Sequence, residues 1–217
     1  MYIKFNNLSE EKRETIIKSA IEEFSQNGFY KASTDKIAYS ANIAKGSLFH
    51  YFKNKKNLYL YIVKYCMDFI GDKVKKEANN IKVNDFYERM KLIAIFKQNI
   101  FVTYEFHTKI ILDSFSNRDE EIKEDMQILT NEYYADGIQF MEDYILKYMD
   151  AEYLRDGITT QNALFMTTTM FEALGNKYMN IYKSALSQND KAIKEVFDEF
   201  DRYIDIMKYG LYKNNLN

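Results

Sequence analysis

The 217-residue chain has no proline, no tryptophan, one cysteine and only seven glycines. Proline and glycine most often mark turns and loops, so their scarcity, with abundant Lys, Glu, Ile and Leu, favours long helices. The single cysteine, Cys66, excludes an internal disulfide and any zinc site built from cysteines alone. We therefore expect an all-α protein of one or two small domains.

The chain also lacks long apolar runs. No stretch approaches the roughly 20 apolar residues of a transmembrane helix. The first residues, MYIKFNNLSEEK, lack the apolar core of a signal peptide. Together with the low cysteine content, which fits a reducing compartment, these features predict a cytoplasmic protein that has no membrane partner.

Charge is distributed unevenly along the chain, although the formal net charge is only −2. Residues 1–58 contain 10 Lys/Arg and 6 Asp/Glu, whereas residues 59–217 contain 20 and 26. A basic segment beside an acidic one indicates that only the N-terminal part meets a polyanion. The excess of positive charge is modest, and by itself it does not distinguish DNA binding from chance.

A first long helix is predicted to begin at Ser9 and to end at Gly28. Apolar residues recur between them at helical spacing, from Ile16 to Phe24. Ser9 is placed to cap the first free amides, and Gly28 is placed to end the helix with a positive φ.

Two short helices with a tight turn between them are predicted next. The first covers residues 34–40, the second covers 44–52, and a break lies at 41–43. This order is that of a helix-turn-helix, whose second short helix is sized to enter the DNA major groove. Its composition fits that role, because Lys45 offers charge and Gly46 lets a phosphate approach the backbone closely.

The same region matches a family pattern. The matching residues are Phe24, Asn27-Gly28-Phe29, Ser33-Thr34, Ile37-Ala38, the run from Ile43 to Phe52, Lys53, Lys55 and Leu58. With them, residues 9–60 resemble the tetracycline-repressor-like (TetR) family of bacterial regulators. The resemblance implies a three-helix DNA-binding domain over residues 1–54. A larger helical ligand-binding and dimerisation domain would cover residues 55–217, for about nine helices in all.

The resemblance also implies which residues contact DNA. They are Thr34, Lys45, Gly46, Ser47, Phe49, His50, Tyr51 and Lys55. Phe49 stands where the family usually has tyrosine, so one phosphate contact is lost and the ring is free to meet a thymine methyl. Ala44 stands where serine or threonine often caps the helix, so that cap is expected to be weak.

The larger helical region is rich in aromatic residues and methionine, which line adaptable apolar cavities. The resemblance implies a small apolar or amphipathic effector bound among these side chains, although plain core packing explains any single one of them as well. The candidate ligand contacts are Phe86, Met90, Phe101, Tyr104, His107, Tyr133, Tyr134, Met141, Met166 and Met170.

The last helices carry an apolar seam with alternating spacings of three and four residues. The resemblance implies a homodimer built there, which a palindromic DNA operator requires; internal burial of the stripe is the alternative. The candidate interface residues are Phe171, Tyr178, Ile193, Phe197, Phe200, Ile204, Met207 and Leu211.

Catalytic and metal-binding patterns are not found in the sequence. Glu105 and His107 are two residues apart and so lie on different faces of a helix, which disfavours a metal site. We expect no enzyme activity and no cofactor, but a DNA-binding regulator, most simply a repressor released by its effector. The alternatives are a helical small-molecule-binding protein, and a regulator that answers to a protein partner without a ligand pocket.

Overall fold

A computed structural model describes residues 2–116, 120–185 and 190–211. Over these residues the all-α prediction is confirmed, since ten α-helices and two short 3-10 turns account for most of the described backbone. The helices are α1 Ile3–Asn6, α2 Glu10–Lys31, α3 Thr34–Ser40, α4 Lys45–Phe52, α5 Lys55–Asn80, α6 Phe86–Thr103, α7 Glu105–Ser116, α8 Lys123–Tyr144, α9 Thr160–Ala185 and α10 Asp190–Leu211.

Helix α1 precedes the first helix predicted from the sequence. It is a single turn, and it forms because Phe5 buries its side chain completely. One turn is too short to be stable alone, since most helical stability comes from packing an apolar face. Its existence therefore depends on tertiary contacts that no local pattern shows.

Helix α2 lies where it was predicted, with two corrections, one at each end. Ser9 occupies the N-cap position, but its hydroxyl makes no capping hydrogen bond. Gly28 has the expected positive φ, 64°, and breaks the helical path there. One more helical turn follows and ends at Lys31, so the glycine kinks the helix rather than ending it.

The two short helices lie where they were predicted. Ser33 caps α3, because its hydroxyl accepts from Lys36 N at 3.3 Å. Asn42 makes the turn between them with a φ of 52°, a conformation that asparagine adopts more readily than most residues. Ala44 precedes α4 without a side-chain cap, as the sequence indicated.

The chain divides into two compact units. Unit 1 comprises Met1–Asp72 and Phe101–Tyr134, and unit 2 comprises Lys73–Ile100 and Ala135–Asn217. These units are defined by packing and not by function. The predicted functional division, into a DNA-binding domain over residues 1–54 and a ligand-binding domain over residues 55–217, therefore stays a prediction.

Each unit has its own apolar interior. In unit 1 the side chains that are almost wholly buried include Phe5, Ile16, Phe24, Ile37, Leu48, Phe52, Leu58, Ile62 and Ile110. In unit 2 the buried set includes Phe86, Tyr87, Met90, Ala163, Thr167, Phe200 and Ile204. Within the described part of the chain, no helix is both long enough and apolar enough to cross a membrane.

Unit 2 contains a buried arginine. Arg89 is only 3% exposed, and its guanidinium lies 4.0 Å from the ring centroid of Tyr148. Its hydrogen-bond acceptors are the backbone carbonyls of Ala78, Ile81, Val83 and Tyr144. One side chain thus binds the end of α5, the segment that follows it and the end of α8.

Candidate DNA-binding surface

Helix α4 separates a buried face from an exposed one. Leu48 and Phe52 are four residues apart, so they share a face, and each is 1% exposed. On the other side, Lys45, Gly46 and His50 are exposed. The predicted contacts Ser47, Phe49 and Tyr51 are half-buried at the margin between the two faces.

Lys45 opens α4 and already has a partner in the chain. Its Nζ lies 2.8 Å from Asp35 Oδ2, and the two side chains are 48% and 67% exposed. The same Nζ lies 5.9 Å from the centroid of the Phe49 ring. A pair this exposed is weak and exchanges readily with other charges, so Lys45 remains available to a phosphate.

Lys55, at the start of α5, contacts the end of α2. Its Nζ donates to Tyr30 O at 2.8 Å and lies 5.2 Å from the centroid of the Phe29 ring. Lys55 therefore satisfies a carbonyl at a helix C-terminus, where positive charge is favourable. Its predicted phosphate contact would replace or share this bond.

Thr34 is the first residue of α3 and is half-buried. The chain entering this helix is held from α2, because Glu23 Oε1 accepts from Ser33 N at 2.8 Å. Thr34 therefore sits at a fixed helix N-terminus, a position that suits a phosphate contact.

The rings of His50 and Tyr51 lie side by side near the end of α4, with centroids 5.9 Å apart. Tyr51 is also 6.1 Å from Phe5 of α1, centroid to centroid. Neither Tyr2 nor Phe5 is among the residues predicted from the sequence for this site. Their three-residue spacing, which places both on one face of a helical turn, was the available signal.

Five of the ligand candidates belong to unit 1. Phe101, Tyr104, His107 and Tyr133 are half-buried, whereas Tyr134 is 60% exposed. A side chain as exposed as that of Tyr134 does not line an enclosed pocket within one chain.

His107 of α7 lies in an aromatic cluster with Phe69 of α5 and with Tyr104, which immediately precedes α7. Its ring stacks on Phe69 with centroids 4.7 Å apart, and Tyr104 packs edge-on against the same phenylalanine at 4.9 Å. Burial lowers the pKa of His107 because the charged imidazolium loses hydration. The cluster brings two of the predicted ligand residues together and favours a neutral histidine between them.

The other five ligand candidates belong to unit 2. Phe86 and Met90 are core residues, 0% and 3% exposed. Met141 and Met170 are half-buried. Met166 is 55% exposed, so, like Tyr134, it does not face an enclosed cavity of its own chain.

An open groove of about 350 Å³ lies at the start of α8 in unit 1. Its lining is charged and consists of Lys56, Glu120, Glu121, Lys123, Glu124, Asp125 and Gln127. Lys56 and Asp125 form an ion pair across it, with Nζ and Oδ2 2.5 Å apart. Such a lining does not suit an apolar effector.

The predicted dimer seam is described in part. Phe200, Ile204 and Met207 are 7%, 1% and 6% exposed within a single chain, so they have almost no surface left to bury against a partner. The side chains of Phe171, Tyr178, Ile193, Phe197 and Leu211 lie outside the described residues. Among the described side chains of α10, the large apolar ones that are exposed are instead Ile206, at 64%, and Tyr209, at 61%.

Metal-ligating side chains and the cysteine thiol are further possible reactive groups. Among the described residues, no cluster of three or more His, Cys, Asp or Glu side chains is placed to hold a metal ion. Cys66 is fully buried, and burial raises the pKa of its thiol. A protonated, inaccessible thiol is inert, which agrees with a packing role.

Comparison with known proteins identifies the N-terminal region. The model of the bacterial regulatory proteins of the tetR family matches residues 16–62. The biofilm operon icaADBC negative transcriptional regulator IcaR of Staphylococcus aureus (strain Newman) is 35% identical over 78 residues. That alignment covers 35% of this chain and 42% of IcaR, so the likeness spans about two-fifths of the curated relative.

Solved structures match nearly the whole chain. A TetR-family transcriptional regulator from Mesorhizobium loti superposes with a TM-score of 0.69 at 16% identity, covering 95% of this chain and 100% of its own. The regulator FadR of Bacillus subtilis, solved with stearoyl-CoA, superposes with a TM-score of 0.67 at 14% identity, covering 92% and 99%. At these identities the likeness establishes the fold.

Proposed function

Because residues 16–62 are an N-terminal domain of the TetR family of bacterial regulators and the whole chain has that family's fold, we propose that this protein is a sequence-specific DNA-binding transcriptional repressor. It would act in the cytoplasm as a homodimer on a palindromic operator. A ligand bound in the larger helical region would release it from DNA.

The observation that carries this proposal is the outer surface of α4. Two buried residues, Leu48 and Phe52, fix the helix on the domain, while Lys45, Gly46 and His50 face solvent. On this exposed side Lys45 supplies a positive charge, Gly46 leaves the backbone accessible because it has no side chain, and His50 supplies ring nitrogens. This combination suits contacts with phosphates and base edges in the major groove.

A dimer is required by the operator that we propose. Two recognition helices related by a two-fold axis would reach half-sites about 34–36 Å apart, or a related multiple of the helical turn. Four of the exposed apolar side chains of unit 2, Phe165 and Met166 on α9 with Ile206 and Tyr209 on α10, are our candidates for the interface. They replace the buried seam residues in that role.

For the effector we propose a long-chain acyl-CoA or a similar amphipathic molecule. FadR of B. subtilis, which has this fold, was solved with stearoyl-CoA. The half-buried aromatic cluster of unit 1, in which His107 and Tyr104 pack on Phe69, offers candidate acyl contacts.

The first test is a fluorescence-anisotropy titration of the whole protein against the DNA upstream of its own gene, at two salt concentrations and with random duplex as competitor. We expect saturable binding that survives the competitor. Binding that follows salt alone would contradict a sequence-specific role.

Lysine variants locate the contact surface. Lys45→Ala should weaken binding and lower the slope of affinity against salt by about one unit, because one phosphate contact is lost. Lys55→Ala should do the same. Lys76→Ala, an exposed lysine far along α5, is the matched control and should leave the slope unchanged.

Stearoyl-CoA then tests release. We expect it to lower affinity for the operator about tenfold, which requires only about 1.4 kcal/mol of coupling. Free coenzyme A is the control and should have no effect. Tight binding of stearoyl-CoA with unchanged operator affinity would refute the release mechanism.

A further inference from the structure

The link between the recognition helix α4 and helix α5 is two residues long, Lys53 and Asn54. Lys53 has a φ of 67° and a ψ of −48°, and Asn54 N donates to Phe52 O at 2.8 Å. These values describe a three-residue γ-turn of the rare kind. For a residue with a side chain this conformation is strained, and it persists only where surrounding contacts hold it.

Helix α1 supplies such contacts on the α4 side of the turn. Phe5 is fully buried, and its ring centroid lies 4.8 Å from that of Phe52 and 6.1 Å from that of Tyr51. The Tyr2 ring lies 5.5 Å from Phe52, also between centroids. Both aromatic residues of α1 and its flank therefore pack on the last turn of the recognition helix.

The same two residues contact α5 on the other side of the turn. The Tyr2 hydroxyl donates to Asn57 O at 3.2 Å, and its ring lies 5.0 Å from Tyr61. The Phe5 ring lies 5.3 Å from Tyr61. Burial, and the nearby carboxylate of Asp125, raise the pKa of Tyr2, which keeps its hydroxyl protonated and able to donate.

Helix α1 is itself held in place. Arg13 of α2 donates from Nη1 to Asn6 O at 2.8 Å, which ties the end of α1 to the helix that follows it. The opposite side of α1 is open, since Ile3 is 72% exposed. The segment thus has one packed face and one free face.

We propose that α1, by packing against both α4 and α5, holds the Lys53 turn in its conformation, a role that we call a splint. We also propose that Phe5 is a positioning residue for Tyr51. The splint fixes the angle between α4 and α5, and through it the place of the Tyr51 ring on the recognition surface. The expected effect on operator binding rests on the proposed DNA-binding function. The role of α1 in holding the turn rests only on the contacts described above.

Amide hydrogen exchange of the whole protein tests the structural part without DNA. Phe5→Ala should speed the exchange of the α4 amides about tenfold or more, while amides of unit 2 keep their rates, because only local opening becomes easier. Phe5→Leu should restore most of the protection. Ile3→Ala, on the free face of the same helix, is the matched control and should change nothing.

Operator binding tests the consequence. Phe5→Ala should weaken specific binding about tenfold but change binding to random duplex less than twofold, because charge is untouched while geometry is loosened. In a Tyr51→Ala background, Phe5→Ala should cause no further loss of specificity. Additive losses would show that Phe5 does not act through Tyr51 and would overturn its positioning role.

The outcomes separate this inference from the function on which it rests. If the unchanged protein shows no preference for its upstream DNA, the proposed function fails, while hydrogen exchange still decides whether α1 is a splint. Unchanged α4 exchange in Phe5→Ala overturns the splint, whatever the DNA result. Should Phe5→Ala fail to fold, Tyr2→Phe removes only the bond to Asn57 O, and its α4 exchange decides the matter in the same way.

Discussion

Cationic side chains behave differently in the two regions of the molecule. Lys45 and Lys55, on the proposed DNA surface, each make one exchangeable polar contact, with Asp35 or with the carbonyl of Tyr30, and each lies over one aromatic ring. Arg89, in unit 2, is buried and donates to four backbone carbonyls. A surface that must bind another molecule keeps its cations in weak contacts, whereas a cation that stabilises the fold directs its donors to several buried acceptors of its own chain.

The backbone shows the same contrast. Among the described residues, the two non-glycine residues with positive φ, Asn42 and Lys53, both flank the recognition helix α4. Local strain of this kind gathers at functional segments and is supported by their surroundings. The DNA-binding end therefore combines exposed charge with a constrained backbone.

The largest effect should follow from removing the buried arginine. Arg89→Met should lower the free energy of unfolding by at least about 3 kcal/mol, because several buried carbonyls lose their only charged donor. Arg89→Lys should lie between, since one ammonium cannot reach all four acceptors. Urea denaturation measures both, with the exposed Arg155→Met as control. Equal urea midpoints for the Arg89 and Arg155 variants would show that the buried arginine stabilises the fold no more than an exposed one does.

The strained link should respond in the opposite direction. Lys53→Gly should raise the free energy of unfolding by about 1 kcal/mol, because glycine adopts a positive φ without steric cost. Lys75→Gly, at an exposed helical position of α5, should lower it by about 1 kcal/mol, the usual cost of glycine in a helix. The same sign for both variants in thermal or urea unfolding would argue against strain at Lys53.

The exchangeable pair on the DNA surface gives a smaller effect on affinity. Asp35→Asn should tighten binding by about 1 kcal/mol or less at low salt, since it frees Lys45 and removes a negative charge beside the phosphates. Folding stability should stay unchanged. Asp68→Asn breaks a similar exposed pair, with Lys64 Nζ 3.1 Å away, and should leave DNA affinity as it was. Weaker binding by Asp35→Asn would mean that Asp35 orients Lys45 instead.

The smallest effect concerns pH. Burial lowers the pKa of His107 in the folded state below its unfolded value of about 6.5, so the unfolded chain binds the proton first. Stability is therefore full above that value and should fall as pH drops below it, until the folded histidine is protonated too. His107→Phe keeps the stack on Phe69 and should flatten this dependence. His50→Phe, which replaces the other histidine of the chain, should leave the pH dependence contributed by His107 in place. Urea midpoints measured between pH 5 and 8 compare the two variants.

The N-terminal segment was predictable because its signals are local. Capping at Ser33, the positive φ of Gly28 and the four-residue spacing of Leu48 and Phe52 each follow from a few neighbouring residues. The predicted bounds of α3 agree with the structure, and the start of α4 differs by one residue. The roles of the individual DNA contacts remain predictions.

The larger helical region was predictable only as a set of helices. Its apolar periodicity indicates that a face is buried, but not against what. Ile204 and Met207 were predicted to lie in a dimer interface, but they are buried within their own chain. Met166 was predicted to line a ligand pocket, but it is exposed. Periodicity alone cannot distinguish core from interface, because both require the same apolar spacing.

The all-α fold and the helix-turn-helix follow from the sequence alone, because helix propensity and capping depend on composition and near neighbours. Three contacts depend on the tertiary structure: Arg89 binds four carbonyls, Lys55 holds the end of α2, and α1 packs across the Lys53 turn. These contacts join residues that are distant in sequence, and no local free-energy preference specifies them. They form where folding brings a donor to an unsatisfied carbonyl, or an aromatic ring to a buried face.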